Sequence, residues 1–406
     1  MVSSSIDHMV ALTIFIAATL LFIGLFNQTI QTAVVYQNHR AIATEASDLL
    51  DTILLNPGIP NNWGRTTETP IGFGLQDPEF TQYKLDTFSL MRLSASTGDP
   101  VYYSKTNGGS GMSYNNLSTG FGSYLLMPQD SVLDYSSASK LLGINGSYGF
   151  QLTLKPIVTV AVSEIQPSES LKLSIHVEGI GFPLAYASVS YKLYLLSLAN
   201  GQYPCYRVIN NTITTNGEGS SILNFTGVPS DANYAFVASA HLSGLNGVGY
   251  HIHSPLQSQH IIPLIGNLSS NKIILSHSGD IDSNQAETTV TYNTTMVTFN
   301  SEDFTLQEVQ LNNTGAVTNG AGYPYSEIAL TNEPGVLIIA YNYTSSDGGF
   351  VAMPWGLSSL GFEVTFGGDP ANQEWVSTDM RQVTINGVAY QARLAIWSYK
   401  GYQVNG

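Results

Sequence analysis

Two adjoining stretches near the N-terminus decide the architecture: residues 9–26 read MVALTIFIAATLLFIGLF, and residues 27–55 read NQTIQTAVVYQNHRAIATEASDLLDTILL. The first has no charged residue, and its 18 residues are at the short end of the roughly 17–25 with which a helix crosses a bilayer. The second places apolar residues on one helix face, at Ile42, Ala46, Leu49 and Ile53. The helix should end at Asn56-Pro57-Gly58, because proline cannot continue the hydrogen-bond ladder.

We therefore assign residues 1–55 to one N-terminal helix, which would be roughly 70 Å long from residue 9 to residue 55 at 1.5 Å per residue. Its apolar part (residues 9–26) needs lipid or other apolar helices around it. Its amphipathic part (residues 27–55) can support a head or face neighbouring copies. No Lys or Arg precedes the apolar part and no cleavage motif follows it, unlike a secretory signal peptide.

The composition limits the partners that this chain can have. Its 406 residues include 43% hydrophobic residues, enough for a packed core, but the net charge is −15 with only 14 Lys plus Arg. A nucleic-acid partner is excluded, because binding to phosphates needs a basic surface. Cys205 is the single cysteine, so no disulfide can form within the chain.

The remaining sequence predicts β-structure in three regions behind the helix. We assign residues 56–155 to a head with a long Gly/Ser/Asn loop near residues 97–122, residues 156–255 to a β-sandwich, and residues 256–406 to a second β-rich domain. Residues 171–177 alternate between apolar and polar, and Asn386-Gly387 indicates a hairpin. The fold class is α+β: a long N-terminal transmembrane helix followed by mainly antiparallel β-sandwich domains. On this division, a fragment that starts near Pro156 should fold as a soluble, monomeric β-protein.

Several short stretches resemble known families. The segment Ile6-Asp7-His8-Met9-Val10 resembles the start of mature type IV pilins, where an acidic residue precedes an apolar run. The stretches at 62–64 (NWG), 71–75 (IGFGL), 135–143 (YSSASKLLG) and 148–152 (YGFQL) are similar to archaeal pilin-like membrane proteins. The order GFPLAYASV, TNGEG and YAFVASA within residues 156–255 resembles immunoglobulin-like extracellular modules.

The pilin resemblance implies polymerisation through the N-terminal helix. It implies that the Asp7 carboxylate pairs with a neighbouring subunit's terminal amine, and that other positions along the helix form the assembly face: Met9, Phe15, Leu20 and Phe26. A charge among apolar helices is costly unless it is paired, which is the physical reason for a single acidic residue there.

Asn-x-Ser/Thr acceptor sites occur beyond the apolar run, and an extracellular location would allow several of them to be glycosylated. The candidates are Asn116, Asn145, Asn210, Asn224, Asn267, Asn293, Asn312 and Asn342. A chain rich in Asn and Thr also generates such triplets by chance.

The chemical motifs in the chain are weak. His251 and His253 lie on one face of a predicted strand, with His260, His277, Asp280 and Asp282 following, but such a pattern is more often incidental than a metal site. No nucleophile elbow, zinc-protease helix or phosphate-binding loop is present in the sequence. The aromatic residues of the last region either line a carbohydrate-binding face or fill the core: Tyr323, Tyr325, Trp355, Trp375 and Trp397. We expect no catalytic residues, no cofactor and no metal.

Three functions remain open at this point. The first is a structural subunit of an extracellular archaeal type IV pilus-like filament that displays glycosylated β-domains, with adhesion as their role. The second is a monomeric membrane-anchored surface protein for binding or adhesion, and the third is a secreted enzyme. The expected partners are copies of the chain itself, the membrane before assembly, and surface glycans or other cells.

Overall fold

The computed structural model describes residues 2–94, 97–103, 112–118, 124–166, 169–197, 203–253, 260–277, 288–300, 302–318, 325–344, 347–356, 361, 363–373 and 375–399. In these residues one long helix is followed by strands that pair almost wholly antiparallel, which confirms the predicted α+β class. Two short helices lie in the head, α2 (Thr87–Met91) and α3 (Tyr135–Leu141). The side chains of Asp86 and Asp134 cap their first turns.

Helix α1 (Val2–Leu54) is continuous, as the sequence predicts. Threonine hydroxyl groups along α1 donate hydrogen bonds to the carbonyl four residues back. Thr13 donates to Met9, and Thr29 donates to Leu25. These hydroxyl groups are therefore satisfied without water. The last four turns bury one face against the head, through Ile42, Ala46, Leu49, Leu50, Ile53 and Leu54.

The sheet under α1 combines strands from distant parts of the chain. Its order is β20 (Val364–Gly367), β4 (Tyr148–Pro156), β22 (Val388–Ser398) and β21 (Val376–Ile385). Strand β4 pairs with both β20 and β22, and α1 lies against β21 and β22. Helix and sheet share one apolar core with the turn around Trp63, which is fully buried.

A second unit is a sandwich of two four-stranded sheets. One sheet has the order β10 (Ser220–Pro229), β6 (Ser170–Gly179) and β5 (Val158–Glu164), with the short β7 (Phe182–Pro183) beside β6. The other has the order β12 (Leu245–His253), β11 (Tyr234–Leu242), β8 (Ser188–Ser197) and β9 (Cys205–Thr214). Leaving β7 aside, the first, second and fifth strands share one sheet and the others share the second. This distribution is the immunoglobulin-like arrangement.

A third unit packs a six-stranded sheet on a four-stranded one. The six-stranded order is β1 (Thr97–Tyr103), β2 (Met112–Ser118), β3 (Tyr124–Pro128), β13 (Ile261–Asn267), β14 (Lys272–His277) and β17 (Tyr325–Ala329). The other order is β16 (Leu306–Thr318), β15 (Thr289–Phe299), β18 (Gly335–Thr344) and β19 (Asp347–Trp355). Their shared core includes Ile273, Leu337 and Trp355, and α2 adds Phe88.

The predicted division of the chain is wrong at residue 155/156. Strand β4 ends at Pro156 and lies inside a sheet whose other strands come from residues 364–398. Strand β3 pairs with β13 at Leu126 and Leu264, so residues 56–155 and 256–406 also share the six-stranded sheet. The predicted head and second β-rich domain are therefore interleaved, because strands far apart in the sequence can form hydrogen bonds with one another when they are neighbours in space.

Two further expectations need correction. Part of the predicted loop at residues 97–122 forms the antiparallel pair β1 and β2, because Val101, Tyr102 and Tyr103 find strand partners at the sheet edge. The immunoglobulin-like sandwich also has a second buried face: Tyr194, Ala235 and Val237 share a core with Val336, Ile338 and Ala340. Trp355 and Trp397 are buried as well, so they fill the core and do not line a carbohydrate-binding face. Tyr323 lies outside the described residues.

Candidate assembly and membrane surface

The most unusual surface is the N-terminal two thirds of α1, which we call the bare helix and define as residues 6–41. Side chains all around its circumference are exposed, including Met9 at 67%, Phe15 at 68%, Leu20 at 64% and Phe26 at 59%. A soluble protein rarely exposes so continuous an apolar surface, because removing it from water stabilises by about 25 cal/mol per Å². The bare helix therefore needs lipid or other apolar helices around it.

The length of the apolar part fits a bilayer. Among the described residues, α1 is the one helix whose length and composition would allow it to cross a membrane. Residues 9–26 would rise about 27 Å at 1.5 Å per residue, a little less than the roughly 30 Å of a hydrocarbon core. This supports an anchoring role by length and composition alone, and all four apolar assembly residues predicted from the sequence lie in this segment.

Charge is confined to the two ends of the bare helix. Asp7 is its only acidic residue and Arg40 its only Lys or Arg, with no charged residue between Met9 and Asn38. Both side chains are exposed, and neither is in an ion pair within the described part of the chain. The middle of the bare helix is polar but neutral, with Gln28, Thr32 and Tyr36 exposed.

The docked end of α1 is fixed by a polar clamp beside its apolar face. Arg381 of β21 donates from Nε and Nη2 to the two Asp51 carboxylate oxygens at 3.0 and 3.2 Å, and from Nη2 to Ser47 Oγ at 3.0 Å. Its Nη1 donates to Asp379 at 2.8 Å. The hydrogen bonds to Asp51 are the largest cause that raises the pKa of Arg381. Burial would raise the pKa of Asp379, but hydrogen bonds from the Met380 N–H and from Arg381 hold it below its usual value.

About two turns before Ser47, an aromatic contact joins α1 to the head. The His39 ring meets Trp375 edge-on, with 4.4 Å between centroids. Between residues 6 and 41, Asn38 alone is half-buried and every other residue is exposed. This exposed segment is the bare helix. Ser47, Asp51 and Arg381 were not predicted from the sequence, because nothing local connects residues 330 positions apart.

The acceptor asparagines differ in their surroundings. Asn145, Asn210 and Asn224 are exposed. Asn293 is half-buried and its Nδ2 donates to the Pro204 carbonyl at 3.3 Å, while the Asn342 Oδ1 is buried and has no hydrogen-bond partner in the described structure. The others lie in β2, β13 and β16, where their side chains fall outside the description: Asn116, Asn267 and Asn312.

His251 and His253 form a polar cluster with residues that the sequence did not indicate. Their rings stack on Tyr234 at 5.8 and 5.7 Å between centroids, and the Tyr234 hydroxyl lies 3.0 Å from His251 Nδ1. His253 Nδ1 lies 3.3 Å from Oε2 of Glu164, which comes from β5. Burial lowers the pKa of His251, although Glu164 opposes this.

The imidazoles are thus engaged with Tyr234 and Glu164. Within the described ranges, no three His, Cys, Asp or Glu side chains come close enough together to hold a metal ion. His260 stacks on Tyr343 at 4.1 Å, and His277 is fully buried. Asp280 and Asp282 lie outside the described residues.

Comparisons with known proteins give no family. No family model matches the chain and no curated protein matches it. Among solved structures, a two-domain fibronectin type III segment of chicken tenascin is 10% identical with a TM-score of 0.17, covering 49% of this chain and 98% of that one. Red sea bream transglutaminase is 8% identical at a TM-score of 0.16, covering 49% and 31%. The α2-macroglobulin of E. coli is 10% identical with a TM-score of 0.20, and the match covers 66% of this chain and 19% of that one.

These likenesses are too low to carry an argument. The chain spans about a third and a fifth of the length of the transglutaminase and of the macroglobulin. The immunoglobulin-like assignment of residues 158–253 therefore rests on its own strand order. What the structure supports is a protein with an exposed apolar N-terminal helix, suited to a membrane or surface location, and β-sandwich domains.

Proposed function

We propose that this chain is a structural subunit of an extracellular, archaeal type IV pilus-like filament. It polymerises through the bare helix and displays its β-domains outward, with adhesion to surface glycans or other cells as their role. The observation that carries the proposal is the combination of a helix exposed around its whole circumference with a docked end held by the Arg381 clamp. Such a helix can leave lipid and enter a bundle of identical helices without refolding the head.

The neutral polar middle of the bare helix favours a bundle over a simple anchor. An anchor needs about 20 apolar residues, and the 18 residues of 9–26 come close to that number. Residues 27–41 would add about 22 Å of exposed helix at 1.5 Å per residue. In a bundle these amide and hydroxyl side chains can bond to neighbouring helices, and they give an extended contact surface. In a lone anchor they would serve only as a spacer.

The alternative is a monomeric surface protein that stays anchored in the membrane for binding or adhesion. Both functions place residues 56–406 outside the membrane, so protease added to intact cells should digest the β-domains in either case. Negative-stain microscopy of material sheared from cells separates them. Filaments that contain this chain support the proposal, whereas chain found only in the membrane fraction as monomers would refute polymerisation and leave the anchor.

A further inference from the structure

We propose that in the assembled state the Asp7 carboxylate of one copy pairs with the Arg40 guanidinium of a parallel neighbour, displaced by about 50 Å along the helix axis. This inference rests on the proposed function and adds the register of the assembly. The occupant of the bare helix surface is thus a second copy of this chain. The two residues that carry the argument are the only acidic residue and the only Lys or Arg between residues 6 and 41.

Asp7 needs a cation once it is enclosed in a bundle of bare helices. Ionised carboxylates among apolar side chains are strongly destabilised unless they are paired and hydrogen-bonded. In a bundle, residues 9–38 of a neighbouring copy carry no Lys or Arg that could pair with Asp7. Arg40 is the first one available, and a guanidinium binds a carboxylate through two parallel hydrogen bonds.

Arg40 has no competing partner on its own helix. Residues three and four positions away share a helix face, and around Arg40 these are Tyr36, Gln37, Ala43 and Thr44, all uncharged. Asp51 lies further along and is already bound by Arg381. Glu45 and Asp48 are five and eight positions away, where they do not face Arg40. The Arg40 guanidinium is therefore free to pair with another copy.

The displacement agrees with the dimensions of the helix. Asp7 and Arg40 are 33 positions apart, which is about 50 Å of helical rise, and the bare helix of 36 positions is about 54 Å long. A neighbour shifted by this amount begins its bare helix where the first copy docks to its head. The bare helices of the two paired copies then overlap only at these ends, so the pair fixes the axial register between successive copies.

The rotation between copies also follows. At about 100° per residue, Asp7 and Arg40 are about 60° apart around the helix. Two parallel helices meet through opposite faces, so the paired copies must be rotated by about 120° relative to one another, less what the long Arg side chain can span. A helical array provides such a rotation, whereas a flat array of purely translated copies does not.

A charge exchange tests the pair. Asp7→Arg and Arg40→Asp should each lower filament mass per membrane-bound chain by about 100-fold or more, because each places two like charges in the bundle. The double variant should recover most of the filament mass. The matched control combines Asp7→Arg with Gln31→Asp. Gln31 lies about 13 Å nearer the N-terminus than Arg40 and on the opposite face of the helix. This control should show no recovery.

Cysteine pairs provide an independent readout. In a Cys205→Ser background, Asp7→Cys with Arg40→Cys should give a ladder of disulfide-linked chains, because the two sites are too far apart to join within one copy. Asp7→Cys with Gln31→Cys should give none. Intact filaments from the unaltered chain, but no recovery in the double exchange and no ladder, would overturn the Arg40 pairing and point to another cation such as a terminal amine. Absence of filaments from the unaltered chain would instead overturn the proposed function, and this inference with it.

Discussion

Removing the residues before β5 should unfold the protein, although they precede the immunoglobulin-like sandwich. A fragment of residues 157–399 lacks β4, whose Phe150, Leu152 and Leu154 are at most 1% exposed. Burying each such side chain contributes about 1.5–3 kcal/mol, so β4 alone supplies roughly 5–9 kcal/mol. Since domains are stable by only about 5–15 kcal/mol, this loss is enough to remove the native state.

The matched fragment is residues 41–399, which omits most of the bare helix and retains every sheet and the docked end of α1. We expect this fragment to be monomeric and to unfold cooperatively in urea, and fragment 157–399 to be aggregated or to lack a cooperative transition. The measurements are size-exclusion chromatography, circular dichroism and urea denaturation. A soluble fragment 157–399 with a transition like that of 41–399 would refute the view that β4 is essential to the sheet.

A single substitution tests the same point more gently. In fragment 41–399, Leu152→Ala should lower the free energy of unfolding by about 2–5 kcal/mol, because it leaves a cavity in the apolar core that β4 shares with α1. Ser163→Ala in the neighbouring β5 is exposed and should change the free energy by less than about 0.5 kcal/mol. Equal effects of the two substitutions would contradict the central position of β4.

Three further predictions concern polar groups inside the fold or at the docked end of α1. Arg381→Met and Asp51→Asn should each destabilise fragment 41–399 by about 1–2 kcal/mol, and the double variant by clearly less than their sum, since they remove one bidentate pair; additive effects in urea denaturation would exclude the clamp. Arg92 is 1% exposed, burial lowers its pKa to about 10, and it donates to the carbonyls of Trp63, Ser131 and Glu68. Arg92→Leu leaves these carbonyls unpaired and should lower the free energy of unfolding by about 3 kcal/mol or more. A urea midpoint equal to that of the unaltered protein would contradict this. Burial and the nearby His260 lower the pKa of His277 to about 4. Because the unfolded chain then binds the extra proton between about pH 6.5 and pH 4, stability should fall as pH falls through this window, and His277→Gln should flatten the slope; an unchanged slope in urea midpoints measured across that range would show that His277 is not its source.

The sequence by itself determined the features whose signals are local. The helix over residues 2–54 follows from an uncharged apolar run, a 4-3-4 apolar spacing and a proline that ends it, all within one continuous segment. The immunoglobulin-like sandwich was also predicted closely, because its strands follow one another within residues 158–253 and alternate in apolar and polar residues. The proposed assembly residues could be named from the sequence for the same reason, since they lie on that one helix, and their role in assembly stays a prediction.

Only the tertiary structure decided how distant strands combine. That β4 lies between β20 and β22, and that β13 joins β3, depends on pairing between segments more than a hundred residues apart, for which the sequence carries no local periodicity. The contacts of Arg381 with Asp51 and of Glu164 with His253 could not be predicted from the sequence for the same reason. Hydrogen bonds and apolar contacts act over a few ångströms in space, so the chain has to be folded before such residues become neighbours.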